Sequence, residues 1–327
     1  MALTLAEAKA TMVDPIDQTV IDEFRRSSLL LDSLTFDDAV APATGGSTMV
    51  YGYTRLETPN TATTRAINTE YTAKEAKRKK YTAELKIFGG AASLDRVIQN
   101  TSGQLNEMEF QLKELIKGAK NEFHYLAING NSATKATEFD GLNKILTGAS
   151  TEYNTSSAVD ISTAAQMEAK KQDFLDMLDE FLSGMEGTPS MLLGNTALIN
   201  KIKSIARRAG YYSRSEDSFG RAVDNYNGIP LVDLGKYYNG TKSVDVVGTD
   251  AAAGTTDLYA VTLDLSGLHA VSPAGGKIIS TYLPDMQAPG AVKKVEVEMI
   301  AALVLKNSLK AGVFRKIQVA PKTSSGT

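Results

Sequence analysis

The stretch NEMEFQLKELIKGAKNEFHYLAINGN, residues 106–131, is the strongest helical pattern in the sequence. With Leu105 before it, Met108, Leu112, Leu115, Ile116, Ala119, Phe123 and Ala127 recur at the spacing of one helix face. Lys113, Lys117, Lys120 and His124 form the opposite, polar row. The pattern predicts a helix over 102–128, roughly 40 Å long at ~1.5 Å per residue. Asn129-Gly130-Asn131 stops it. Gly118 inside it costs about 1 kcal/mol relative to Ala and marks the close approach of another element. VKKVEVEMIAALVL, residues 292–305, reads as a strand of matching length, roughly 40 Å at ~3.3 Å per residue. Val295, Val297 and Met299 alternate with Lys294, Glu296 and Glu298, and the run then becomes continuously apolar, as in a strand entering a core. A long helix lying across a long strand is the spine that this pair predicts.

Other elements arrange themselves around that spine. Residues 1–45 read as an irregular arm with short helices at 2–10 and 16–26, and its apolar Leu29, Leu30 and Leu31 need a partner surface. STMVYGYTRL (47–56) and YTAELKIF (81–88) read as strands, the second with Tyr81, Ala83, Leu85 and Ile87 on one face. The polar stretch between them, 57–80, cannot bury a core of its own and ends in Lys74, Lys77, Arg78, Lys79 and Lys80. An isolated two-stranded ribbon is marginal in water, so this one is expected to lean on a further surface, another chain being one candidate. The basic run reads as a solvated loop, as a contact to an acidic surface of a neighbouring subunit, or as a nucleic-acid contact. Tyr51 and Tyr53, like the leucines of the arm, sit where the chain offers little core, and such exposed groups mark an interface.

Residues 150–157 are Ser/Thr-rich and read as a linker. A helix over 163–183 follows, capped by Thr163 with Gln166, then a strand at 189–194 and a helix from Asn195 as N-cap to Gly210 as its stop. Strands at 228–234 and 257–265 continue one mixed α/β unit over 150–290. Residues 313–319 form a final strand.

The whole chain has 327 residues, 35 Lys and Arg against 38 Asp and Glu, a net charge of −3, two histidines and no cysteine. Thiolate metal sites, disulfides and cysteine nucleophiles are excluded. Two histidines cannot make a three-histidine metal site; His124, on the polar row, reads as a solvated or interface histidine, and His269, in a strand-to-loop segment, as an equally ordinary one. No phosphate loop, dinucleotide fingerprint or nucleophile elbow is present. A near-neutral chain lacks the broad basic face of a sequence-specific nucleic-acid binder. The N-terminus has no secretory pattern, and the longest apolar run falls far short of a membrane span.

The order of these elements resembles the major capsid proteins of tailed phages, with the Hong Kong 97-type fold. The arm IDEFRRSSLLLDSLTFDDAV, the ribbon GGSTMVYGYTRLETP returning as AELKIFGGAASLDRVI, the spine helix with its FDGL segment (Phe139–Leu142) and the G-x-P strand at Gly228-Ile229-Pro230-Leu231 carry the likeness. The resemblance implies an α+β phage capsid fold. Residues 1–45 would be the N-terminal arm and 46–90 the E-loop. Residues 91–150 with 291–327 would form a discontinuous P-domain, and 151–290 a mixed α/β A-domain.

It further implies a structural protein and no enzyme, without cofactor or metal. Such a chain self-assembles as hexamers and pentamers into an icosahedral head around double-stranded DNA, without sequence readout or a membrane. Leu29, Leu30, Leu31, Tyr51, Tyr53, Lys74, Lys77, Arg78, Lys79 and Lys80 are then the expected inter-subunit contacts. The chain opens directly on the arm, so a separate scaffolding protein or a cleaved precursor is expected, with portal and decoration proteins as further partners. The virion, assembled in the bacterial host cytoplasm, is the expected location. Two alternatives stand beside this reading. An encapsulin-type nanocompartment shell would differ in its lumen contents, and an α/β enzyme would need a pocket of titrating residues.

Overall fold

A computed structural model of the chain describes residues 30, 33–40, 45–101, 107–210, 212–216, 222–273, 278–285 and 287–322. The helices expected at 2–10 and 16–26, and with them Leu29 and Leu31, lie outside the described residues. In the first half of the chain the strands are β1 (Phe36–Ala39), β2 (Val50–Thr58), β3 (Lys77–Glu84), β4 (Lys86–Asp95) and β5 (Glu152–Asp160), and the helices are α1 (Arg96–Thr101), α2 (Glu107–Asn129) and α3 (Leu142–Leu146). Then come α4 (Ala164–Ser183), β6 (Met191–Gly194), α5 (Thr196–Ala209), β7 (Tyr212–Glu216), β8 (Ala222–Tyr226), β9 (Ile229–Asp233), β10 (Lys236–Tyr238) and β11 (Ser243–Asp245). The chain closes with β12 (Thr255–Val261), β13 (Leu268–Pro273), β14 (Ile279–Tyr282), β15 (Val292–Leu305) and β16 (Ala311–Gln318).

The expected long strand is β15, with the predicted bounds. It pairs antiparallel with β4 along one edge, from Val292 opposite Asp95 to Ala301 opposite Lys86. Its other edge takes β14 and then β13. The arm contributes β1, parallel to β13, with Phe36 opposite Ala270. Val295, Val297 and Met299 point inward, and Ala301 to Leu305 are all buried.

The helix α2 lies across β4 and β15. Gly90 on β4 leaves it room, because a Cβ there would stand 2.9 Å from Leu115 Cδ2. Phe123 stacks on Phe88 at 6.1 Å between ring centroids and meets Phe139 at 5.5 Å and Phe36 at 5.9 Å. Gly130 and Gly141 explain the turn and the FDGL segment. The Gly141 N–H donates to the Gly130 carbonyl at 2.8 Å, and a Cβ on Gly141 would lie 2.5 Å from Leu126 O.

His124 departs from the polar-row reading. It is 5% exposed, with Nε2 3.0 Å from the Leu234 carbonyl oxygen. The second half of α2 is covered on two flanks. Tyr125 stacks on Tyr237 at 4.5 Å, Tyr237 OH donates to Glu122, and Asn129 donates to Val246 O at 2.7 Å. The solvent row is kept from Lys113 to Lys120, with Lys113 paired to Glu109 and Lys117 to Glu114.

The mixed α/β unit is a seven-stranded sheet in the order β5-β16-β12-β6-β9-β8-β7, with β16–β5 and β6–β9 parallel. The helices α4 and α5 bury Phe174, Leu178, Phe181, Leu198, Ile202 and Ile205 against it. Both caps form as the sequence predicts. Thr163 Oγ1 accepts the Gln166 N–H at 3.2 Å, and Asn195 Oδ1 accepts that of Leu198 at 2.9 Å. Gly210 takes the left-handed C-cap at φ 80°. The Ser/Thr-rich stretch is corrected from linker to the edge strand β5, because β16 supplies its hydrogen-bond partner.

The last strand, β16, belongs to both cores. Ala311 and Val313 join the one around α2, and Phe314 and Ile317 join the one around α4 and α5. Arg315 sits at a register shift between them, with Lys316 at φ 60°.

Candidate functional site

The strands β2 and β3 form a two-stranded antiparallel ribbon that pairs with no other strand among the described residues. Every residue from Leu56 to Lys80 is exposed. The alternation expected over 81–88 breaks at Leu85. That residue is buried between β3 and β4, so Ile87 lands on the outer face and is exposed.

The root of the ribbon is tied to the body. Tyr51 OH donates to Asp37 Oδ2 at 2.6 Å, and Lys306 Nζ stands 3.6 Å from the same carboxylate. Tyr53 OH donates to Leu305 O at 3.2 Å, and Arg55 donates to Lys306 O at 2.7 Å and to Leu305 O. The Arg55 guanidinium lies 4.6 Å from the Tyr81 ring centroid, and Tyr53 stacks on Tyr81 at 5.8 Å. The Tyr51 hydrogen bond holds the Asp37 carboxyl below its ordinary range, and burial, then the Asp37 bond, pushes the Tyr51 phenol up.

These contacts correct the expectation that Tyr51 and Tyr53 have little core of their own chain to join. Tyr51 and Tyr53 are half-buried against the chain's own core, as are Arg55, Tyr81 and Ala83 on the same face of the ribbon's root. Leu30 is 2% exposed within that core. The chain supplies the apolar surface that the sequence seemed to lack, because β1, β13 and the end of β15 meet beneath the ribbon. His269 lies there too, fully buried on β13 with the Tyr51 ring edge-on at 6.0 Å. Burial, then the Lys306 charge, lowers its pKa from the ordinary value.

The basic run, by contrast, stands free of the body, but as two groups. Pairing places Lys79 opposite Arg55 and Lys77 opposite Thr58, on the face that carries Tyr53 and Tyr81. Lys80, opposite Thr54, and Arg78, opposite Leu56, lie on the other face. Lys79 has a loose pairing with Glu57 at 3.8 Å. Lys74 is in the tip, where its Nζ donates to Thr61 Oγ1 at 3.0 Å. Among the described residues no ion pair forms at Lys77, Arg78 or Lys80. Ile67 at the apex is 89% exposed, a residue that the sequence reading passed over because one apolar side chain in a polar stretch carries no periodicity.

A cleft of about 580 Å³ lies under the ribbon root, lined by Tyr53, Arg55, Tyr81, Lys86, Phe139 and Leu305 among others. Its charged rim is internally paired, Lys86 with Glu84 and Asp140 with Lys144. No group of three potential metal ligands occurs among the described residues, and no described helix is long and apolar enough to cross a membrane.

The model of the family described as SU10 major capsid protein matches residues 19–235. No curated protein matches the chain. Solved structures match over nearly its whole length. The holo-SrpI encapsulin complex from Synechococcus elongatus PCC 7942 is 14% identical, with each chain fully covered and a TM-score of 0.68. A structure from Mycobacterium phage Bobi is 11% identical, covering 96% of this chain and 99% of its own, with a TM-score of 0.62. The capsid of a native GTA particle is 9% identical, covering 97% and 99%, also with a TM-score of 0.62.

Proposed function

We propose, for a chain that belongs to the SU10 major capsid protein family, a division of labour in which the β2–β3 ribbon joins one copy to the next. The protein is a structural major capsid protein with the Hong Kong 97-type fold, a virion component that assembles with copies of itself into a shell. The observation that carries the ribbon's role is its unbroken exposure from Leu56 to Lys80. Between Val50 and Glu84 seven cations face four carboxylates, so the ribbon is at +3 while the rest of a −3 chain is at −6. Charge complementarity therefore directs the ribbon onto the body of a neighbour.

On this reading 1–45 serve as the N-terminal arm and 46–90 as the E-loop. Residues 91–150 with 291–327 are the P-domain, and 151–290 the A-domain. Leu29 and Leu31 retain their expected role as contacts of the arm. Rings of six and five close an icosahedral head around double-stranded DNA, assembled in the cytoplasm of a bacterial host with separate scaffolding, portal and decoration proteins.

The test is negative-stain microscopy of the full chain beside a variant carrying Lys77→Glu, Arg78→Glu, Lys79→Glu and Lys80→Glu. The unmodified chain is expected to give rings or shells, and the variant dispersed monomers with an unchanged melting temperature. Equal assembly of both at the same salt would refute the ribbon's role. Nucleic acid in the shells supports the head, whereas a protein cargo in its place supports the nanocompartment alternative.

A further inference from the structure

Asn-Gly occurs three times in the sequence, at Asn129-Gly130, Asn227-Gly228 and Asn239-Gly240. In such a pair the glycine nitrogen, with no Cβ beside it, can approach the amide of the preceding side chain. As sequence the three are equivalent, and the fold makes them different. Asn129 is half-buried at the end of α2, and its amide donates to Tyr125 O at 3.3 Å and Val246 O at 2.7 Å. Gly130 is buried, and its N–H donates to Leu126 O at 2.9 Å. Both groups are engaged elsewhere. Asn227 and Gly228 are exposed and make the two-residue turn between β8 and β9, with Tyr226 opposite Ile229. Asn227 is left-handed at φ 48°. In that region ψ is about +47°, which points the next nitrogen away from the side chain.

Asn239 and Gly240 open the exposed connection between β10 and β11. Asn239 Oδ1 accepts the N–H groups of Thr241 and Lys242, each at 3.0 Å. Two donors on one carbonyl oxygen draw charge from Cγ and stabilise the negative oxygen that forms when Cγ is attacked. Among the described residues the Gly240 N–H has no hydrogen-bond partner. The turn is held in place. The Asn239 N–H donates to Lys242 O at 3.2 Å, and Tyr238 OH donates to Gly240 O at 3.1 Å. Gly240 stands at φ 89°, where a residue with a Cβ is strained. Below the turn, Tyr237 anchors the hairpin on Tyr125 of α2.

We propose that Asn239 is a self-modification site, converted in the folded protein to aspartate and isoaspartate by the Gly240 nitrogen and water. The Gly240 nitrogen gives up its proton and bonds to Asn239 Cγ. The C–N bond of the side-chain amide breaks, and its nitrogen leaves as ammonia. A cyclic imide remains. Water opens it at the side-chain carbonyl to aspartate or at the backbone carbonyl to isoaspartate, and nothing is oxidised or reduced. Each converted copy gains one negative charge, from −3 to −4. In isoaspartate the backbone runs through Cβ, so the side-chain oxygen that held Thr241 and Lys242 is no longer in place. The β10–β11 turn thereby records the age of the chain.

The experiment incubates the full chain at pH 8, folded or in urea, and follows its peptides by mass spectrometry. Electron-transfer fragmentation separates isoaspartate from aspartate. In urea the three pairs should convert at similar rates. In the folded chain Asn239 should convert about tenfold faster than Asn129 and Asn227, and at least as fast as it does in urea. The acidic form that ion exchange resolves should be missing from an Asn239→Gln variant. Conversion of Asn129 or Asn227 at the pace of Asn239, a slower Asn239 in the folded chain than in urea, or persistence of the acidic form in the variant would each overturn the proposal.

Discussion

Replacing Arg315 should separate the two cores. Its guanidinium has five N–H donors, and all five are used. Nε donates to Glu152 at 2.9 Å, one terminal nitrogen to Asp257 at 2.7 Å and Asn143 Oδ1 at 2.6 Å, and the other to Asn143 O and Thr147 Oγ1 at 3.2 and 3.1 Å. Those partners lie on or beside β5, β12 and α3, so one side chain ties together elements that pack into both cores. Its side chain is 12% exposed, against 17% for Glu152 and 27% for Asp257. Removing one partner of a buried pair costs about 3–5 kcal/mol. The residual exposure of the two carboxylates places Arg315→Met near the lower end, about 3 kcal/mol. For a cooperative unit of this size that corresponds to a fall in melting temperature of about 5 °C.

The assay is thermal and urea unfolding of the unassembled chain followed by circular dichroism. Most of the loss should come from the stranded carboxylates, so adding Glu152→Gln and Asp257→Asn should restore most of it. The sign with pH follows from Glu152. Burial raises its pKa, but the Gly148 N–H and then Arg315 outweigh this and hold it below its ordinary value. Its contribution is present above the unfolded carboxyl pKa and is lost as pH falls through the folded value. The cost of Arg315→Met should therefore shrink below about pH 4. A loss under about 1 kcal/mol, or a cost equal at pH 7 and pH 3.5, would refute this account.

Two further outcomes are expected. Gly141→Ala drives a Cβ to 2.5 Å from Leu126 O, 2.7 Å from Ile128 O and 2.8 Å from Gly130 N. All three are backbone atoms that cannot yield, so the substitution should cost on the order of 3 kcal/mol in urea unfolding, and a loss below half of that would mean that the crossing is loose. Burial lowers the pKa of His124 and of His269. The unfolded chain then takes up protons first, so their contribution is full above about pH 6.5 and lost as pH falls below it. The melting temperature should drop between pH 7 and pH 5, and the joint variant His124→Gln and His269→Gln should flatten that slope. An unchanged slope would show that the titration lies elsewhere.

What was legible in the sequence was whatever a segment states about itself. The bounds of β15 follow from its own alternation and apolar run, and the caps at Thr163 and Asn195 from side chains that bond within their own first turn. What was not legible depends on partners far along the chain. Residues 150–157 have no strand pattern of their own and become β5 only because β16 lies beside them. His124 occupies a polar helix position, yet Leu234, some 110 residues later, covers it. Tyr51 and Tyr53 were right as landmarks of the ribbon and wrong as free surface, since the body beneath them is assembled from β1, β13 and β15. The cations of the ribbon were found by composition, but their division between two faces needs the pairing register, including the irregularity between Leu56 and Thr58.

The position of β15 and β16 also has a consequence for the chain's synthesis. One is the shared partner of β4, β13 and β14, and the other lies between β5 and β12. Both are made after almost everything they hold together. At ~5–20 residues per second a ribosome spends roughly half a minute on the preceding chain, with neither sheet able to close. Pairings that span so much sequence also form slowly. A chain ending before them has a ribbon without the Leu305 and Lys306 carbonyls that hold Tyr53 and Arg55 at its root. A chain that stops before β15 and β16 leaves β4, β13, β14 and β5 without the strand that each of them pairs with at the centre of its sheet.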